Sequence, residues 1–175
     1  MAERGGAASG TPDQVRVVQV APEDWRLYRD VRIASLIDSP RAFWATYAEA
    51  ATRAEGEWRE RLSTSPTWVA LEGQRPVGTV GLWQAPAQAP HEGLLVGMWV
   101  ASVARGRGAA DALVSAGLEH ARALGWRRLS LDVAQENSRA RSFYLRFGFR
   151  PTGERGAMPW DPSVTEETLA LELSG

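Results

Sequence analysis

The sequence has no cysteine, no lysine and only two histidines, His91 and His120. Without cysteine there is no disulfide framework, no thiolate metal site and no sulfur nucleophile. Without lysine there is no Schiff-base chemistry and no Walker-type phosphate lysine. Two histidines cannot build a multi-histidine zinc centre, so no metal is expected. No run of about 18 apolar residues is present to span a membrane, and the first residues lack the apolar core of a secretory signal. The expected location is the cytoplasm. Charge of one sign is also lacking: 21 Asp+Glu oppose 20 basic residues, all arginine, for a formal net charge of -1. That balance disfavours a nucleic-acid partner, which needs a basic surface.

What is present is a globular composition, 44% apolar and 23% charged over 175 residues. This length suits one domain and is enough to bury a core. Residues 1–13 are rich in Gly, Ala and Ser without apolar periodicity and read as a disordered tail. Residues 14–175 read as a single domain with no internal repeat.

Val15, Val17 and Val20 begin a first strand. Pro22 suits the first turn of a helix, with Glu23 and Asp24 at its positive end. Leu27, Val31 and Ala34 continue at helical spacing, and Ser39-Pro40 breaks the run. A second helical stretch is predicted over 49–62. Strands follow over 67–71 and 77–83, joined by the turn Glu72-Gly73-Gln74-Arg75. Residues 92–100 form a nearly continuous apolar run, as in a strand covered on both faces. Ala110, Leu113, Val114, Gly117, Ala121 and Leu124 line one helix face, with Gly125 as its C-terminal cap. Leu129, Leu131 and Val133 alternate in a further strand. Asn137 or Ser138 can cap a helix carrying Ala140, Phe143, Tyr144 and Phe147. Strands starting at Phe149 and spanning 165–173 complete a mixed α/β domain of about seven strands and four helices.

The most informative segment is Val100 to Ala110. A buried strand delivers Arg105-Gly106-Arg107-Gly108, and a helix starts at once. Glycines let the backbone approach an anion closely. The helix start adds unpaired N–H groups and a positive dipole end, which suit a phosphate. The plain alternative is a tight turn with two solvated arginines. The loop is not a Walker motif, and Ala109-Ala110-Asp111 after Gly108 departs from a dinucleotide fingerprint.

Arg105-Gly106-Arg107-Gly108-Ala109-Ala110 resembles the Arg/Gln-x-x-Gly-x-Gly/Ala pyrophosphate loop of the GNAT acetyltransferases. Asn137-Ser138-Arg139-Ala140-Arg141-Ser142-Phe143-Tyr144-Leu145-Arg146-Phe147-Gly148-Phe149 resembles the Asn-x-x-Ala-x-x-x-Tyr-x-x-x-Gly-Phe block of the same superfamily. Both motifs occur in the right order with a strand between them. The resemblance implies a mixed, mostly antiparallel sheet whose fourth and fifth strands splay apart to admit the pantetheine arm of acetyl-CoA. It implies backbone contacts from Met98, Trp99 and Val100, and a pyrophosphate resting on amides from Arg105 through Ala110. Asn137 would reach the pantetheine arm, and Arg146 the nucleotide end. Tyr144 would sit near the cofactor sulfur as a general acid. Read without the motif, Tyr144 is one more core aromatic beside Phe143 and Phe147.

The implied reaction is direct acetyl transfer from acetyl-CoA to an amine of a small molecule or peptide. The amine must attack uncharged, so a base is required. Glu92, at the start of the fourth strand where the superfamily can supply an acid, is the first candidate. His91 and Asp132 are the others. A backbone N–H at Val100 is the expected oxyanion donor. Phe43, Trp44 and Tyr47 fall in the region that often walls the acceptor site in this superfamily. Trp83 and Trp99 are further aromatic candidates, unless these rings simply pack the core. The competing reading is a non-catalytic CoA-binding module that senses or interacts. Pairing through an exposed last strand makes a homodimer the expected assembly.

Overall fold

The computed structural model describes residues 14–173; the tail expected over 1–13 lies outside the described residues. Seven strands are present: β1 (Val15–Gln19), β2 (Thr67–Glu72), β3 (Arg75–Trp83), β4 (Glu92–Val100), β5 (Arg128–Ala134), β6 (Arg150–Met158) and β7 (Asp161–Glu172). They form one sheet in the order β1-β2-β3-β4-β5-β7-β6. Every neighbouring pair is antiparallel except β4 with β5. The α-helices are α1 (Trp25–Asp38), α2 (Tyr47–Ala51), α3 (Glu55–Thr64), α4 (Ala109–Ala123) and α5 (Ser138–Arg146). Among the described residues no helix is long and apolar enough to cross a membrane.

Strand alternation divides the core into two layers. Trp68 and Ala70 of β2 pack with Leu113, Val114 and Leu118 of α4 and with Tyr144 of α5. Val69 and Leu71, on the other side of β2, pack with Trp25, Tyr28 and Val31 of α1 and Trp58 of α3. Helices therefore cover both faces. The glycines after α4 and α5 adopt φ 75° (Gly125) and 103° (Gly148), where a side chain is strained. Each closes its helix with paired backbone bonds, Trp126 N–H to Ala121 and Phe149 N–H to Tyr144 among them.

The single helix expected over 49–62 is two helices. Thr46 caps the first, accepting from the Glu49 N–H while the Glu49 carboxylate accepts from the Thr46 N–H. The Thr52 hydroxyl then donates back to the Ala48 and Glu49 carbonyls. The Glu57 carboxylate accepts from the Ala54 N–H and starts the second helix. Two capping acids eight positions apart make two starts.

Candidate active site

The parallel contact between β4 and β5 is short. Glu92 pairs with Arg128, Gly93 with Leu129 and Leu94 with Ser130, and the strands then part. At the closed end Trp126 lies directly on Gly93, where an added Cβ would fall 1.9 Å from the ring. Beyond Leu94 the β3–β4 register shifts, so that Gly97 and Met98 oppose Val80. Gly97 has φ 62°. This is a β-bulge made possible by glycine, and it turns β4 away from β5. Beyond the bulge the Ala101 N–H donates to Val77 at 2.8 Å. The alternation of antiparallel bonds therefore turns the Val100 N–H toward the open side.

A cavity of about 340 Å³ occupies the gap. β4 contributes residues 94–98, β5 residues 131–134, and α5 with its N-cap contributes Asn137, Ala140 and Tyr144. Residues 42–45 form another wall, joined by Arg32, Arg61, Trp83 and Glu166. The 42–45 wall has no regular structure beyond a 3-10 turn over Pro40–Ala42, and three long-range contacts fix it. Arg41 pairs with Glu136 at 2.9 Å. The Trp160 indole donates to the Phe43 carbonyl at 2.7 Å. The Trp44 indole donates to both oxygens of Glu166, at 3.1 and 3.0 Å.

Two titratable groups in this cavity are perturbed in useful directions. Tyr144 is buried, and desolvation pushes its phenol well above the ordinary value, so it keeps its proton. Glu166 is 4% exposed. Burial raises its carboxyl above the ordinary range, and the Asp132 charge adds to this; the Trp44 hydrogen bond opposes it. Asp132 itself lines the cavity and accepts from the Thr168 hydroxyl at 2.6 Å.

After β4 the chain makes a short 3-10 turn and enters α4 through Gly106 and Gly108, with φ of 78° and 87°. A Cβ on either would meet nothing within 4 Å, so the space above the loop is open. The first turn of α4 leaves its backbone N–H groups without intrahelical acceptors. Glycine backbone, free amides and a 15-residue helix fit a pyrophosphate.

The profile of the "Acetyltransferase (GNAT) family" matches residues 31–149. The chain belongs to that family. N-acetyltransferase 8B of Rattus norvegicus is 37% identical over 91 residues, which is 50% of this chain and 40% of that relative. The matched region thus spans well under half of the relative's length. In structure, the GNAT fold is shared with yncA of Salmonella typhimurium, whose structure includes its cofactor acetyl-CoA (TM-score 0.74, 14% identity, covering 93% of this chain and 95% of that one). It is likewise shared with a GCN5-related N-acetyltransferase of Kribbella flavida (TM-score 0.71, 19% identity, covering 93% and 100%).

Within this GNAT domain the expected residues divide. Met98, Asn137 and Tyr144 reach the cavity together with Phe43, Trp44, Trp83 and Asp132. The Asn137 side chain also caps α5, accepting from the Ala140 N–H at 3.1 Å. Trp99 does not reach the cavity. It is buried against α1, and its indole donates to Asp38 at 2.9 Å. Arg105 is engaged within the chain, donating to the Val100 carbonyl at 3.0 Å and to Asp38 at 3.1 Å. Arg107 pairs with Glu72. Arg146 pairs with Asp111, in the first turn of α4, at 3.0 Å.

Glu92 is not among the cavity-lining residues, because it opens β4 where the strand is still paired with β5. His91 and Tyr47 are exposed, and neither is among the cavity-lining residues. Sequence reasoning missed Glu166, Arg32, Arg61 and the bulge at Gly97. Only the last left a local signal, a glycine inside an apolar strand.

Proposed function

We propose that this GNAT domain is an acetyl-CoA-dependent N-acetyltransferase acting on an amine. The observation that carries the reading is the parting of β4 from β5 into a cavity that holds both Tyr144 and Glu166. Bound acetyl-CoA supplies an activated acetyl thioester. The amides of residues 106–110 hold its pyrophosphate, and the exposed edge of β4 at Met98 and Val100 holds its pantetheine arm. Arg105 acts by fixing the loop to β4 and α1, and Arg146 by tying α5 to the start of α4.

Glu166 is the general base, in preference to Glu92. It takes a proton from the acceptor ammonium, and its raised pKa brings it nearer to that task at neutral pH. The Val100 N–H faces the gap and donates to the developing oxyanion. Tyr144 keeps its proton and gives a hydrogen bond to the departing sulfur. Trp44 and Trp83 form the rim over the acceptor, and Phe43 lies deeper.

Thermal unfolding with acetyl-CoA, ATP or NAD tests the cofactor. A ligand bound only by the native state adds about 2.7 kcal/mol at 100 times its Kd. The expected result is stabilisation by acetyl-CoA alone, with amine-dependent release of free CoA. Stabilisation without turnover on any amine identifies a CoA-binding module instead. No stabilisation at millimolar acetyl-CoA overturns both readings.

A further inference from the structure

Arg32 projects from the middle of α1 into the cavity. It is 6% exposed. Its Nη1 is buried and has no hydrogen-bond partner among the described residues. Among the described residues no carboxylate pairs with it, and the Phe43 ring lies 4.4 Å from the guanidinium. Nη1 stands 3.5 Å from the position of a Cβ on Gly97. The free donor therefore lies at the bulge, beside the place where acetyl transfer would occur. Burial pulls the Arg32 pKa down to about 10, so the group is still charged at neutral pH. Arg61 adds a second guanidinium to this wall, its Nε donating to the Tyr28 hydroxyl at 2.9 Å.

A buried, unpaired guanidinium is costly to a folded chain. Phe43 offsets part of that cost, but it leaves the fork of donors unused. A fork of this geometry matches a carboxylate in bidentate fashion. The cavity also carries groups of the opposite charge, since β5 and β7 bring Asp132 and Glu166 into it. One cavity thus offers a guanidinium for an anion and carboxylates for an ammonium.

We propose that the acceptor is a small amine that also carries a carboxylate, as an α-amino acid does, with the carboxylate held by Arg32. This rests on the N-acetyltransferase reading above. The ammonium loses a proton to Glu166, and its nitrogen forms the new bond to the acetyl carbon. The carbon–sulfur bond breaks with its electron pair going to sulfur, which leaves as the thiol, and one proton is released overall. The product keeps its carboxylate but has lost the positive charge that Asp132 and Glu166 attract, which favours its departure.

The experiment measures kcat/KM for the twenty L-amino acids with acetyl-CoA, after acetyl-CoA binding has been established by thermal shift. Each accepted amino acid is then compared with its amide and its decarboxylated amine. The expected result is at least about 100-fold preference for the carboxylate-bearing form, because the analogues leave a buried donor unpaired. Arg32→Met is expected to retain stabilisation by acetyl-CoA, lose about 100-fold on the amino acid through KM, and lose far less on the decarboxylated amine, so that the preference between the two collapses. Arg32→Lys, which keeps the charge but not the fork, should recover part of the loss. Equal use of amino acids and their amides overturns the proposal, as does acceptance of simple amines but no amino acid. A lower Tm for Arg32→Met with unchanged selectivity also overturns it, making Arg32 a packing residue of α1. If Arg32→Met does not fold, the acid-against-amide comparison in the unaltered protein decides. A protein that fails to bind acetyl-CoA refutes the enzyme reading itself, which is a distinct outcome.

Discussion

The indole of Trp44 holds both carboxylate oxygens of Glu166, 122 positions further along the chain. Burial raises the Glu166 pKa, and this bond pulls the other way. Replacing Trp44 with Phe removes the donor while keeping an aromatic rim. The inflection in the pH profile of kcat/KM should then move to higher pH. An unmoved inflection would show that Glu166 is not the base.

Glu166→Gln should lower kcat by about 100-fold or more, the usual contribution of a general base. Its effect on stability should run the other way. A carboxyl whose pKa is raised on folding stabilises the fold below its unfolded pKa. That contribution is lost as pH rises through the folded value. At neutral pH the native protein therefore carries the ionised group at a disadvantage. Glu166→Gln should melt at or above the native temperature at pH 7, and differential scanning calorimetry across pH 4–8 would check the sign.

Gly97→Ala places a side chain at φ 62° and brings a Cβ to 3.5 Å from Arg32. The left-handed backbone costs roughly 1–2 kcal/mol. For a chain of this size that lowers Tm by about 2–8 °C. If the bulge shapes the reacting end, kcat/KM should fall further than global stability predicts. Affinity for CoA lacking the acetyl group should fall less than kcat/KM, since the loop of residues 106–110 is untouched. Parallel loss of stability, affinity and rate would make the bulge merely structural.

Tyr144→Phe removes one hydroxyl from a side chain packed edge-on against Phe143 and Phe149. The ring packing survives, so Tm should move little. Loss of the donor to the departing sulfur should lower kcat by about 10- to 100-fold, with KM for acetyl-CoA unchanged. Because burial raises this phenol, the native profile should show no descending limb from Tyr144 at physiological pH. A Phe variant with native kcat would return Tyr144 to the core.

Asp38 joins Trp99 and Arg105 at one carboxylate oxygen. Donation from Trp99 and Ser39 holds its pKa below the ordinary value, with Arg105 assisting. Such a carboxylate stabilises the fold above its unfolded pKa and loses that effect as pH falls through its folded value. Asp38→Asn should therefore cost about 1 kcal/mol at neutral pH, and the difference from the native protein should vanish in acid. It should also weaken acetyl-CoA binding, because Arg105 fixes the phosphate loop to β4. Isothermal titration with acetyl-CoA at pH 7 would reveal whether the loop depends on this anchor.

The legible parts of the molecule are those in which local chemistry decides. Alternating and continuous apolar runs mark the strands, and β4 spans the residues that its apolar run marked. Asn137 caps α5, as its side chain suggests. The two glycines of the loop stand where positive φ is needed. The acid and base residues of the cavity are a different matter. Glu166 shares the polar phase of β7 with Thr168 and looks solvent-facing until residues 42–45 fold across it. Arg32 sits between Val31 and Ile33 and reads as an ordinary polar residue of a helix until Phe43 and β4 close around it. Glu92 is visible as an acid at the start of a strand. The three-residue pairing that shuts the sheet there comes from the packing of Trp126 on Gly93, which no local pattern announces.

The strand order places β7 between β5 and β6. A chain leaving the ribosome thus releases β5 and β6 before the strand that joins them, and β5 meets β4 at only three positions. The half-sheet beyond the gap cannot zip until β7 has emerged. Glu166 travels on that strand, so Trp44 and the arginine wall wait for their counterpart until β7 has been made. A polypeptide interrupted before β7 would carry the glycine loop and both guanidinium groups while lacking Glu166, the carboxylate that closes the other side of the cavity.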